Sequence, residues 1–148
     1  MELIPAWCLA VATLLGEAGN EPYLGKLAVA KTIRNRMRLG YFSDGTVAGT
    51  VLRPVQFSMW NTKDRGRISA CKALLDDERV REAQLAWFES ATKSPELGTW
   101  FDEVTLYHAD YVKPYWAPNV KFVRKIGRHL FYLDAVWLDR RAKRVAAK

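Results

Sequence analysis

Residues Gly16-Glu17-Ala18-Gly19-Asn20-Glu21-Pro22 have the types and spacing that acid–base chemistry needs. Two carboxylates stand four positions apart among glycines, directly after an apolar run. A carboxyl at the end of a helix faces the negative end of the helix dipole. Leu14 and Leu15 beside it add desolvation. Both effects raise its pKa, and a carboxyl still protonated near neutral pH is a general acid. In glycosidases such a group protonates the leaving oxygen as an oxocarbenium-like transition state develops. The bland alternative is a pair of solvated loop carboxylates, and the pattern alone leaves both open.

These residues need a helix before them and a turn after them. Leu3, Trp7, Ala10, Val11, Leu14 and Leu15 recur at helical spacing, which predicts a helix over 3–17. Gly16, Gly19 and Pro22 then break it. A second helix is expected over Tyr23–Leu39, stopped by Gly40. Leu24, Leu27, Ala28, Val29, Ala30 and Ile33 should face inward, and Lys31, Arg34, Arg36 and Arg38 outward. A short helix is expected over Thr46–Leu52, an exposed loop over 53–66, and helices over Ser69–Asp76 and Glu78–Lys93. Val80, Ala83, Trp87 and Ala91 should share the buried face of the last of these. A short strand fits Trp100–Tyr107, an aromatic loop Tyr111–Pro118, an extended segment Ile126–Leu133, and a basic helix Ala135–Lys148.

Composition sets the frame for this reading. The chain has 148 residues, 49% of them apolar, with six Trp, six Tyr and six Phe. That excludes a disordered chain, a collagen-like fibre and a disulfide miniprotein, and predicts one domain over 1–148. Lys and Arg outnumber Asp and Glu by 23 to 16, a net charge of +7. Such a balance favours an anionic polymer or surface as partner. Cys8 and Cys71 sit in apolar stretches and read as two buried, reduced thiols. With His108 and His129 they make four potential zinc ligands, but no short-spaced pair joins any two, so neither metal nor cofactor is expected. The apolar start carries Glu2 and no basic residue, so it reads as a buried helix and not a signal peptide.

Four blocks resemble, in order, the bacterial cell-wall hydrolase family typified by the spore-cortex-lytic enzyme SleB. They are Glu17-Ala-Gly-Asn-Glu-Pro22 leading to Ala28-Val-Ala30 and Asn35-Arg36; Gln56-Phe57-Ser58 with Trp60; Tyr107-His108-Ala109 with Val112, Pro114, Trp116 and Ala117; and Ile126-Gly127 with His129, Phe131 and Tyr132. Together they span about residues 10–133 and leave 134–148 as a basic C-terminal helix. In the opening block the glycine stands one place earlier than in the family pattern, while the two glutamates keep their spacing.

The resemblance implies a mainly α, lysozyme-like α+β domain with a small β element that cuts peptidoglycan glycan strands. It places the catalytic acid/base on Glu17, with Glu21 in support. It implies a lytic transglycosylase: one carboxyl protonates the oxygen bridging N-acetylmuramic acid and N-acetylglucosamine, then serves as base on the sugar's own 6-hydroxyl. A hydrolytic muramidase would need a second carboxylate or a held water, for which Glu21, Asp102, Glu103 and Asp110 are the candidates. Gln56, Phe57, Ser58, Trp60, Tyr107, His108 and Trp116 are the expected substrate-binding residues, with Asn61 in the same polar loop. His129 reads as a structural hydrogen-bonding residue.

The partner expected is peptidoglycan, met by a monomer. Arg140, Arg141, Lys143, Arg144 and Lys148 offer electrostatic contact with an anionic wall or membrane. Without a recognisable signal, synthesis in the cytoplasm and release to the wall by a holin, as for a phage endolysin, is the expectation. The rival class is a basic nucleic-acid-binding domain using the Arg34–Arg38 stretch. It carries no recognised binding motif and leaves Glu17 and Glu21 unexplained, so no specific nucleic acid is expected.

Overall fold

A computed structural model describes residues 4–53, 56–57, 60, 71 and 77–148. The helix expected over Ser69–Asp76 lies, apart from Cys71, outside the described residues. Among the described residues, helices α1 (Ala6–Ala18), α2 (Tyr23–Leu39), α3 (Val47–Val51), α4 (Val80–Glu89) and α5 (Ala135–Ala146) accompany a three-stranded sheet. Its strands are β1 (Leu106–Ala109), β2 (Lys121–Ile126) and β3 (His129–Leu133). The expected mainly helical domain with a small β element is what the structure shows.

The α1 helix is the centre of the fold. It packs against α2, α3 and α4, and seven of its apolar residues, from Cys8 to Ala18, are buried. A helix apolar on most sides has no solvent face to keep, so burial rather than amphipathicity holds it. Its last turn carries Glu17. The chain then turns through Gly19, where a Cβ would come 2.4 Å from the Leu15 carbonyl oxygen. Pro22 precedes α2, and Gly40 ends it in the left-handed region at φ 77°, its N–H reaching the Arg36 carbonyl.

Packing of α2 on α4 uses cations as well as apolar groups. The Arg34 guanidinium lies 3.7 Å from the centre of the Trp87 ring, and buried Lys26 pairs with Glu82 at 3.2 Å. Phe57, Phe101 and Phe131 are fully buried with Leu14, Leu27 and Ile33. The Phe101 and Phe131 rings meet at 5.2 Å.

The sheet is antiparallel with order β1-β3-β2. The extended segment expected over Ile126–Leu133 resolves into the end of β2, a tight turn at Gly127-Arg128, and β3. The strand Lys121–Ile126 had no alternation to reveal it, because the register is broken between Phe122 and Arg124. In the Trp100–Tyr107 stretch, a 3-10 turn at Phe101–Glu103 precedes β1.

Three expectations about facing are corrected. Arg36, expected outward, is buried. Ala91, expected on the apolar face of α4, lies beyond its end and is exposed. Phe57, expected in the substrate groove, is 1% exposed and belongs to the core. Cys8 and Cys71 are free thiols, but only Cys8 is buried as expected and Cys71 is half-buried. Burial first, and the neighbouring Cys8 second, push the Cys71 thiol up to about 12. Among the described residues no helix is long and apolar enough to cross a membrane.

Candidate active site

Two buried side chains near the C-terminal end of α2 bring the site together. Asn35 donates through Nδ2 to the carbonyls of Phe101 and Val104, at 2.8 and 2.9 Å. Arg36 donates through Nε to the Thr105 carbonyl at 2.6 Å. These bonds occupy carbonyls of the irregular backbone before β1, where the Thr105 N–H already reaches the Tyr132 carbonyl at 3.2 Å. They thereby fix where β1 starts and where Tyr107 points.

Tyr107 and His108 are adjacent in sequence, and a strand sends neighbours to opposite faces. Tyr107 shares one face with its cross-strand partner Phe131 and with His129, the rings 5.6 and 5.1 Å away. Its hydroxyl donates to Glu17 Oε2 at 3.0 Å. Burial first, then the Glu17 charge, holds the Tyr107 phenol well above its usual value. It therefore stays protonated, and a hydrogen-bond donor, throughout the neutral range.

His108 turns to the other face. It stacks on Tyr132 at 5.3 Å and meets Trp116 edge-on at 5.7 Å. Nδ1 lies 2.7 Å from the Ala109 carbonyl, and Nε2 lies 2.7 Å from the Tyr132 hydroxyl. A carbonyl only accepts, so Nδ1 carries the proton and Nε2 accepts from Tyr132, a tautomer assigned from the network. This His108 is a brace for the β1–β3 pair, on the face away from Glu17.

Glu21 is held at the tip of the β2–β3 hairpin. Its carboxylate accepts from the Arg128 N–H at 3.1 and 3.3 Å and stands 3.5 Å from His129 Nδ1. Gly127 makes this approach feasible: its φ is +57°, and a Cβ there would sit 2.1 Å from Glu21 Oε2. Burial lowers the His129 pKa, with Glu21 and Asp110 opposing. Glu21 thus ties the turn after α1 to the hairpin that carries Tyr107's partner strand.

A cleft of about 640 Å³ runs from Tyr107 past Arg36 and Gln56 to Tyr115, Trp116 and Phe42. Gln56 accepts from Arg36 Nη1 at 2.9 Å. Burial lowers the Arg36 pKa, and the tyrosines Tyr107 and Tyr41, with Glu17, oppose that shift. Tyr115 is 90% exposed, and Phe42 holds the left-handed region at φ 46°, a conformation that costs energy in a non-glycine residue.

The sequence-predicted residues therefore divide. Tyr107, Gln56 and Trp116 line the cleft, and Glu17 is joined to it through the Tyr107 hydroxyl. Trp60 packs against the core and spends its indole N–H on Thr13 Oγ1 at 2.8 Å, tying its loop to α1. Ser58 and Asn61 lie outside the described residues. Arg36, Phe42 and Tyr115 were not singled out as site residues. The Asn35-Arg36 dipeptide at the end of the first matched block was the signal available for Arg36.

A helical core and a small antiparallel sheet carry a glutamate at a helix end, joined through the Tyr107 hydroxyl to an aromatic cleft. The family model for Cell Wall Hydrolase matches residues 20–132, and the chain belongs to that family. Two curated relatives are spore cortex-lytic enzymes, from Halalkalibacterium halodurans and Bacillus subtilis. Each is 28% identical over 123 residues, covering 83% of this chain and 33% or 36% of the relative. The chain thus spans about a third of their length. Among solved structures, the catalytic domain of the germination-specific lytic transglycosylase SleB from Bacillus anthracis superposes with TM-score 0.65 at 25% identity. That match covers 86% of this chain and 93% of the other. The catalytic domain of Bacillus cereus SleB gives TM-score 0.61 at 24% identity, covering 86% and 88%, and shares the fold.

Proposed function

We propose that this chain cleaves peptidoglycan glycan strands between N-acetylmuramic acid and N-acetylglucosamine as a lytic transglycosylase. Glu17 is the acid and then the base. The observation that carries this reading is the Tyr107 hydroxyl on Glu17 Oε2 at the end of an aromatic cleft. Protonation of the bridging oxygen leaves Glu17 as a carboxylate. The Tyr107 O–H stabilises that anion and orients it toward the muramic 6-hydroxyl. The hydroxyl oxygen then attacks the anomeric carbon as its proton passes to Glu17, and the product ends in a 1,6-anhydro sugar. Glu21 supports the site by holding the turn beyond Glu17.

Three of the four carboxylates considered for hydrolysis are engaged by other groups, which supports this route. Glu21 is engaged by the hairpin, and Asp110 by Arg128 and Lys125. Asp102 pairs with Lys31. A muramidase would need one of them at a set separation from Glu17, on the far side of the sugar.

Digestion of purified sacculi by the native protein and by Glu17→Gln, read by mass spectrometry, tests the reading. Anhydro-muropeptides from the native protein and none from Glu17→Gln are expected. Products heavier by one water would make it a hydrolase, and full activity of Glu17→Gln would overturn the assignment. The biological role we attach is that of a phage endolysin released through a holin. Clearing of vegetative sacculi supports that role, and digestion of spore cortex alone overturns it.

A further inference from the structure

The α2 helix has a second polar face. At about 100° per residue, Lys31, Arg34 and Arg38 fall on the side of the helix opposite Arg36. Arg36 lines the cleft, whereas those three cations line a separate groove of about 360 Å³ together with Asn35 and Ser90.

The cations are held in place by neutral acceptors. Arg34 stacks on Trp87 and donates to the Trp87 carbonyl at 2.7 Å and to Ser90 Oγ at 2.7 Å. Lys31 donates to the Thr92 carbonyl at 3.1 Å, and Arg38 to Asn35 Oδ1 at 3.4 Å and to the Asp102 carbonyl. The carboxylate described beside them is Asp102, 3.5 Å from Lys31 Nζ and 77% exposed. Three positive charges against one solvated negative charge leave the groove cationic. Ordered, pre-positioned guanidinium groups match the oxygens of a phosphate.

We propose that this groove binds the phosphodiester of an anionic polyol-phosphate polymer and holds the enzyme on the wall from the side away from the cleft. The choice of a wall polymer rests on the function proposed above; the anion site itself does not. A ligand anchored there leaves the cleft open to the glycan strand.

Calorimetric titration of the whole chain with a synthetic glycerol-phosphate oligomer, at low and physiological salt, tests this. The double variant Lys31→Gln/Arg38→Gln should bind at least tenfold more weakly. Arg140→Gln/Arg144→Gln removes the same charge from α5 and should change binding less than twofold. Circular dichroism checks that each variant is folded, and the single variant Lys31→Gln, expected to lose several-fold, serves if the double variant is not. Equal losses in the two double variants would reduce the effect to net charge and overturn the proposal, as would absence of binding by the native chain. Tighter binding to phosphatidylglycerol vesicles or to single-stranded DNA than to the oligomer would overturn the polymer assignment. Loss of glycan cleavage by Glu17→Gln is measured separately, so either reading can fail alone.

Discussion

The Tyr107 hydroxyl does something its ring does not. The ring packs on Phe131 and His129, while the O–H alone reaches Glu17. Tyr107→Phe should therefore keep the fold and the substrate affinity but lose about 10- to 100-fold in kcat, with KM and Tm little changed. A purely packing role would leave kcat untouched. Tyr107 was legible in the sequence because it stands in a matched motif. What the motif did not tell was that His108, beside it, points the other way, since that follows from the strand pairing at Ala109 and Tyr107. Arg36 was misplaced for a related reason. A charged residue on a helical wheel is assigned to solvent by default, and only the unpaired carbonyl of Thr105 explains why this one goes inside. Tyr115, exposed at the rim of the cleft, suits stacking on a sugar face. Tyr115→Ala should raise KM several-fold on soluble glycan strands and leave kcat near native.

At the scale of elements, α2 is the organiser. It packs on α1, α3 and α4, and Asn35 and Arg36 extend its reach to the segment before β1. Asn35→Ala strips the Val104 carbonyl of its Asn35 donor while Phe101 keeps the Val104 N–H, and a buried unsatisfied group costs about 1–3 kcal/mol. Chemical denaturation should show that loss together with reduced activity, because β1 loses its anchor. The β2–β3 turn is the second device. Gly127→Ala forces a side chain into the left-handed region and against Glu21, and should cost about 1–3 kcal/mol. Both long N-terminal helices were legible from periodicity, and the limits Tyr23–Leu39 and the Gly40 stop agree with the structure. The β2 strand was not, since an irregular register erases alternation, and Phe57 was not, since a residue inside a polar loop gives no periodic sign of burial.

The whole molecule should be most stable between two titrations. The phenols of Tyr23, Tyr41 and Tyr107 are all raised above their ordinary 10.0, each chiefly by burial. Above that pH the unfolded chain releases protons that the folded chain keeps, so stability falls as pH rises. Burial lowers His129 from its ordinary 6.5. Below that pH the unfolded chain takes up a proton the folded chain resists, so stability also falls as pH drops. Melting temperatures across the range should form a plateau between these limbs, and Tyr41→Phe should flatten the alkaline one. The site is also spread widely along the chain: Glu17 and Tyr107 are separated by 90 positions. Tyr107's strand is an edge whose neighbour is β3, residues His129–Leu133. A chain interrupted before β3 leaves β1 without the neighbour it pairs with, and so leaves Tyr107 without the strand that aims its hydroxyl at Glu17.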